Sequence, residues 1–523
     1  MNLVDEKPAP SEKSRFGGVA TGPGSKPWLE PIILIACCGF LYLETFSLPD
    51  IPRVAIGDQS IYLHNAARML EGQIIYRDYD YFTLPGTDVL YAILFRLFGI
   101  RAWIPQAMLV LVGVITTWLS IGISRKLMKG WAVFLPGFVF LALPFSSYLD
   151  ATHHWYSTLC AVAALAVVIE ERTPGRLMWA GLLWGLATCF AQSLALGPMG
   201  LGLFLVWEHR RKEETRGLLL KKESCLFASY VATVAAFSAY FVWKAGPRRF
   251  LSYTVVFIAK YYSTYPANNW KAYMAGRPSV HVWANWPDLV AWPLIHLLIP
   301  LVYLLFFVRY WREARFWPQK PWERLMLVNI TGLCLFLAVA SGPAWNRLYT
   351  VSLPALIMLV WFLNSPLKLE KNLLRGLWAI VMVLAVVRPI VTQVHWRAYL
   401  NLPTGRTSFL DPTLYLQAKW LDQRTQPYDY FFGDQLLCFA LRLRAPSRIA
   451  FATPFDFTRP DEVQDLIRGL EEHQVRFVSW YNGLDPPVDN ARDNLAPLRR
   501  YLRNHYRVAQ TFSSGDIIWE RNQ

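Results

Sequence analysis

The residues able to carry out a reaction are few, and they lie in polar stretches between long apolar runs. The first stretch reads Gly57-Asp58-Gln59-Ser60-Ile61-Tyr62, then Tyr76-Arg77-Asp78-Tyr79-Asp80-Tyr81-Phe82-Thr83-Leu84-Pro85-Gly86, with Asp88 beyond. A second holds Asp150, His153 and His154, and a later one holds Asn346-Arg347-Leu348-Tyr349. A carboxylate within hydrogen-bond reach of a hydroxyl can take its proton. An arginine binds phosphate oxygens in pairs through its planar fork. The His153-His154 pair suits phosphate or acceptor binding; as a metal centre it lacks identified partners, and adjacent side chains seldom converge on one ion. Each residue also has a plain structural reading. Asp58 precedes a helical pattern and could cap it, while Asp78 and Asp80 suit solvated loop carboxylates. His153 and His154 stand beside Trp155, as polar aromatics do at membrane surfaces, and Arg347 suits an interfacial anchor.

The elements that must position these groups are hydrophobic. Of 523 residues, 54% are hydrophobic and only 17% charged, against about a quarter charged in soluble domains. Runs such as 131–148 and 289–308 are long enough to cross a bilayer, which takes roughly 20 residues. A soluble multi-domain protein is excluded. The net charge of +15 is not a nucleic-acid signature, because the basic residues collect in short stretches between apolar runs, where Lys and Arg are retained on the cytoplasmic side. Six of the seven cysteines lie in apolar runs and Cys438 stands alone, so no metal spacing or disulfide framework follows.

Charge placement orders the chain. With the polar tail 1–28 inside, the stretches 124–129, 170–176, 208–222, 310–324 and 368–375 also fall inside. The first segment, 31–48, follows a long polar tail and lacks a small-x-small site, so it reads as a retained anchor. About eleven spans result. Residues 84–98 are apolar but short and carry Asp88 and Arg96, so they predict a helix lying on or dipping into the outer membrane surface. The aromatic residues of 248–285 suit an interfacial belt, or stacking on a sugar or lipid. The expected organisation is a membrane domain over 29–394, with a first outside loop at 49–102 bearing juxtamembrane helices, and an outside soluble α/β domain over 395–523. In that domain 461–473 predicts a helix, 475–480 and 517–519 predict strands, and Asp485-Pro486-Pro487 marks a loop. It holds no catalytic constellation and reads as a structural or acceptor-docking module.

An early Asp beyond the first span, a helix ending in Gly, and the Tyr-Arg-Asp-aromatic and Pro-Gly stretch resemble the C-type (GT-C) membrane glycosyltransferases. The likeness is to bacterial relatives of the protein O-mannosyltransferases and the lipid A aminoarabinose transferase. It covers roughly the first 350 residues as architecture, with its motif concentrated in 58–86. The resemblance implies an α-helical polytopic GT-C enzyme of the inner membrane, its C-terminal domain periplasmic or extracellular. It moves a sugar from a polyprenyl-phosphate donor to a hydroxyl of a glycan, lipid or protein acceptor, with inversion. Asp58 is then the base, and Arg347 binds the departing phosphate. Asp78, Asp80, His153, His154 and Tyr349 are candidate substrate-binding residues. No metal ligand is assigned, although the chemistry leaves room for a divalent metal. This sequence departs from the family at Gln59, where relatives commonly carry a second acid, and at Leu84-Pro85, where they carry Pro-Pro. The first departure leaves Asp78 or Asp80 open as the base. A transporter or lipid flippase is the competing class, and a non-catalytic scaffold of the same architecture is the third; few ionisable residues stand near the centres of the spans, against a carrier of charged solutes.

Overall fold

A computed structural model describes residues 28–522, except 56, 276, 279–285, 318–319, 365–366, 396–397, 450, 482–483 and 485–492. The expected tail Met1 to Lys26 and the Asp485-Pro486-Pro487 loop lie outside the described residues.

Five helices among the described residues are long and apolar enough to cross a membrane: Trp103–Arg125, Arg216–Ala245, Trp286–Glu313, Trp322–Val339 and a fifth beginning at Lys368. Shorter apolar helices stand where the remaining spans are expected, including Leu29–Thr45, Pro174–Phe190 and Leu353–Leu363. This is a multi-pass membrane protein. Leu297, Leu301 and Leu304 on Trp286–Glu313 point outward and are exposed, while Ile295, Ile299 and Val302 of the same helix are buried. An outward apolar face has no cost in lipid and would be a liability in water.

The two ends of the bundle differ in chemistry. At one end the basic stretches meet acids from neighbouring stretches: Lys126 with Glu170 at 2.8 Å, Lys212 with Glu323 at 3.0 Å, and Arg125 with Glu30. Arg324 also donates to the Lys126 carbonyl oxygen at 3.1 Å. The segments grouped on one side by their charge are thus grouped in space. The opposite end carries Asp58, Asp150, His153 and Arg347 and is covered by the C-terminal region.

In chain order, α1 (Leu29–Thr45) leads through β1 (Phe46–Ser47) and β2 (Ile51–Val54) to α2 (Asp58–Leu70) and α3 (Gly86–Phe98). Next come α4 (Trp103–Arg125), α5 (Leu135–Phe140) and α6 (His153–Val168). Although polar, α2 is buried on almost every side, packed between α3 and the helix Gln435–Leu441. Its Arg68 lies over the Tyr79 ring at 4.6 Å and donates to Gln73 Oε1 and the Ser447 carbonyl. Tyr62, Tyr76, Tyr79 and Tyr91 fill the space around α2 and α3 with no exposed surface. Each stabilises the loop by about 1.5–3 kcal/mol through burial. The surface helix expected at 84–98 is α3, and it is half-embedded: Asp88 and Tyr91 are buried while Leu97 and Phe98 are exposed. Gly86 is required for its approach to the end of Pro174–Phe190, because a Cβ there would stand 2.5 Å from the Cys189 carbonyl oxygen.

The boundary expected at 395 is crossed by a sheet. Strand β2 pairs in parallel with β4 (Gly405–Phe409), which pairs with β3 (Leu400–Leu402), giving the order β1-β2-β4-β3. The first loop and the start of the C-terminal region therefore share backbone hydrogen bonds. A second sheet, β5-β6-β8-β7, consists of Phe431–Phe432, Phe477–Trp480, Ile517–Arg521 and Tyr506–Thr511. The predicted helix at 461–473 is Pro460–Glu472.

Candidate active site

The reactive end of the molecule is organised around the first turn of α2. Gly57 precedes the helix, and Asp58 opens it. The orphan N–H groups of a helix N-terminus favour an anion, and here the Asp150 carboxylate supplies it. Its Oδ2 accepts the Asp58 N–H at 3.0 Å, its Oδ1 accepts the Gln59 N–H at 3.1 Å, and the Tyr148 hydroxyl donates to Oδ2 at 2.9 Å. The cap is therefore tertiary, because Gly57, at the N-cap position, has no side chain to supply one. The Asp58 side chain makes no hydrogen bond among the described residues and lines a cavity of about 540 Å³. Gly57 is needed for this arrangement, since a Cβ there would meet the Asp150 carboxylate at 2.3 Å.

Arg347 and His153 line the same cavity. Arg347 sits on the helix Trp345–Thr350, and its Nη1 donates to the carbonyl oxygens of Ala267 at 3.2 Å and Gly342 at 2.9 Å. Its Nη2 donates to Asn268 Oδ1, and Asn268 in turn donates to the Tyr262 carbonyl. The loop 261–274 therefore holds the guanidinium in place. His153 Nδ1 lies 2.8 Å from the Tyr62 hydroxyl, one turn along α2 from Asp58. That contact leaves His153 Nε2 for other partners, and His154 Nε2 is buried without one. Ligand atoms of Asp58, His153 and His154 lie within 4.8 Å of one another. Asp58 thus stands where a third ligand to the histidine pair would be needed, and a set of two imidazoles and one carboxylate fits a divalent transition metal.

A second, smaller cavity of about 110 Å³ adjoins the first. His153, Arg347, Phe82 and Tyr262 line both cavities. Asp58 faces only the larger one, while His154 and the hydroxyl-bearing Ser157, Thr158 and Thr350 face only the smaller. The arrangement separates a carboxylate from a cation-and-hydroxyl pocket with a wall they share.

No family model and no curated protein matches the sequence. Among solved structures, ArnT from Cupriavidus metallidurans in the apo state is similar at a TM-score of 0.57, with 15% identity. That likeness spans 94% of this chain and 97% of the other. The archaeal oligosaccharyltransferase AglB from Archaeoglobus fulgidus, in complex with an inhibitory peptide and a dolichol-phosphate, is similar at 0.52 with 11% identity, over 95% of this chain and 74% of the other. The chain has the GT-C fold. The likeness extends through the C-terminal region, beyond the stretch in which its sequence resemblance is concentrated.

Within the GT-C fold the candidate residues separate into two groups. Asp58, His153, His154 and Arg347 come together. Asp78 and Asp80 do not join them. Asp78 pairs with Arg77 at 2.7 Å and accepts the Ile74 N–H, closing the loop after α2. Asp80 pairs with Arg448 of the C-terminal region at 2.7 Å, and its N–H donates to the Arg448 carbonyl at 3.0 Å. Both carboxylates are spent on holding the loop and the region above it, and neither lines the cavity of Asp58. Tyr349 is buried against Trp345 and lines neither cavity. Its ring packs the short helix that carries Arg347.

Sequence reasoning placed Asp150 on the reactive side but missed its grip on Asp58. It also missed Tyr62, Tyr262, Asn268 and the wall contributed by the C-terminal region. The spacing of Asp58 and Tyr62 on one helical face was the available signal; the other contacts join residues far apart in the chain. Burial raises the Asp58 carboxyl above its usual range, with Arg347 pulling it down. Burial and the neighbouring Asp58 push the Asp150 carboxyl upward, against the three donors that favour its ionised form. Burial pushes Asp88, behind α2, up to about 7, which makes it a poor carrier of fixed charge.

Proposed function

We propose that the protein is an inverting glycosyltransferase moving a sugar from a polyprenyl-phosphate carrier to an acceptor hydroxyl, at the outer face of the cytoplasmic membrane. The observation that carries this reading is the paired cavity, with Asp58 on one side and Arg347 on the shared wall. The smaller pocket, with its arginine, imidazoles and hydroxyls, suits a sugar-linked phosphate, and the larger one gives an acceptor access to Asp58. The AglB neighbour was solved with a dolichol-phosphate, and a polyprenyl-phosphate donor for this chain follows that example.

The chemistry follows from the positions. An acceptor O–H in the larger cavity loses its proton to Asp58 as its oxygen bonds to the anomeric carbon. The bond from that carbon to the phosphate oxygen breaks on the opposite face, its electron pair leaving with the phosphate, so the configuration inverts. Arg347 donates to the departing phosphate, and stabilising charge as it develops is usually the largest catalytic contribution. The loop 261–274 fixes the guanidinium beforehand, so little reorganisation is needed. A divalent cation held by Asp58, His153 and His154 would supply further charge to the phosphate. Equilibrium dialysis against Mn²⁺ or Zn²⁺ tests that proposal: one ion per chain is expected, and His154→Ala should abolish uptake. A transporter would place its cavity at mid-membrane between related halves, whereas this cavity lies at one end of the bundle beneath the C-terminal region.

The test is transfer or release of sugar from a panel of radiolabelled polyprenyl-phosphate sugars by purified protein. Turnover by the wild type and its loss in folded Asp58→Asn is the expected result. Turnover that survives the substitution removes Asp58 as base, and absence of turnover with every donor overturns the reading.

A further inference from the structure

The reading as a glycosyltransferase leaves the acceptor's chemistry open, and the inference below rests on that reading. Any acceptor oxygen reaching Asp58 must enter the 540 Å³ cavity, whose far wall is built by the C-terminal region. That wall carries three carboxylates, Asp411, Asp434 and Asp516, and no lysine or arginine among the described residues. Asp411 caps the helix Pro412–Asp422 through the Leu414 N–H at 2.9 Å, and Asp434 caps Gln435–Leu441 through the Leu436 N–H at 2.7 Å. The Asp411 cap uses one oxygen and leaves the other without a partner among the described residues, while the Leu437 N–H also serves the Asp434 carboxylate. Ser479 donates to Gln417 Oε1 at 2.8 Å, and one of the two Gln417 Nε2 hydrogens is donated to Asp516 Oδ2 at 3.3 Å. The wall is therefore rich in carboxylates, and its side-chain donors are neutral: the Tyr481 hydroxyl and the amides of Gln417 and Gln435.

That imbalance discriminates between ligands. A phosphate or other anion needs donors and is repelled by three carboxylates. A saccharide suits the carboxylates, since its hydroxyls donate, and an ammonium on the ring donates more strongly. Its apolar C–H face needs an apolar surface, and Phe451 and Phe457, with ring centroids 5.7 Å apart, line the same cavity. Burial, with Asp411 and Asp516 nearby, pushes Asp434 up to about 6, as expected where carboxylates share one field. We infer that the acceptor is an uncharged or amino-bearing saccharide, read by Asp411, Asp434 and Asp516 while one of its hydroxyls is presented to Asp58.

The experiment uses the full chain in lipid nanodiscs and saturation-transfer NMR with three probes: maltotriose, a glucosamine trisaccharide, and maltotriose bearing a terminal phosphate. Transfer to the first two and none to the third is expected. Asp434→Asn keeps the helix cap and should weaken saccharide binding about tenfold. Asp516→Lys should weaken it too and admit the phosphorylated probe. Preference for the phosphorylated probe, no signal from either saccharide, or signals indifferent to both variants would each overturn the inference. Donor cleavage without acceptor separates the two claims. Cleavage that depends on Asp58, with no saccharide bound, overturns the acceptor class alone. Saccharide binding without cleavage overturns the reaction and leaves the ligand class of the wall.

Discussion

Asp150 holds the backbone of Asp58 from another loop, accepting its N–H at 3.0 Å while its second oxygen takes the N–H of Gln59. Gly57, at the N-cap position, has no side chain with which to cap the helix. Here a foreign carboxylate caps, and the Asp58 side chain is left to the cavity.

Gly57→Ala tests that contact directly. The added methyl would stand 2.3 Å from the Asp150 carboxylate, so Asp150 must withdraw and the first turn of α2 must shift. Sugar transfer should fall about 10²-fold, the cost of a small misplacement of a reacting group. Donor binding should persist, and unchanged turnover would show that Asp150 does not position Asp58.

Gln59 occupies the position where relatives commonly carry a second acid. Its Nε2 donates to the Ala55 carbonyl at 3.0 Å, its Oε1 accepts the Ala151 N–H at 3.2 Å, and it is fully buried. Gln59→Glu would remove the donor and bury a second carboxylate beside Asp150. A loss of about 1–3 kcal/mol of stability is expected, with lower activity. A gain in transfer rate would contradict this structural role.

Arg347 is expected to act through its fork and not through charge alone. Arg347→Gln should lower kcat by about 10²–10³-fold. Arg347→Lys keeps the charge but cannot bond Ala267, Gly342 and Asn268 together, so it should recover only part of the loss. Full activity in the lysine variant, measured as kcat at saturating donor, would reduce the guanidinium to a point charge.

The pH dependence of stability follows from Asp434. Its carboxyl titrates near 3.8 when unfolded and about 6 when folded, raised mainly by burial. A raised folded value means that the native state binds the proton more tightly. Its contribution is therefore full below about 3.8 and is lost as pH rises through about 6. Thermal unfolding should come a few degrees lower at pH 8 than at pH 5, with a smaller difference in Asp434→Asn. An identical difference in the variant would assign the effect to another group.

The apolar runs and the basic stretches between them were enough to establish a multi-pass membrane protein and to group its loops, because spanning length and charge retention are local properties of a chain. The same reading placed Asp58, Asp150, His153, His154 and Arg347 among the polar residues of one side, and the helix Pro460–Glu472 and strand Phe477–Trp480 came from periodicity. Tertiary structure alone decided what these residues do. It turned Asp150 into the cap of α2, spent Asp78 on its own loop and Asp80 on Arg448, and joined β2 to β4 across the expected domain boundary. It also brought Asp434 and Asp516 opposite Asp58. A carboxylate has the same sequence whether it caps a helix, pairs with an arginine or faces a cavity. Which of these it does depends on the partner that folding places within about 3 Å, the range over which hydrogen bonds act.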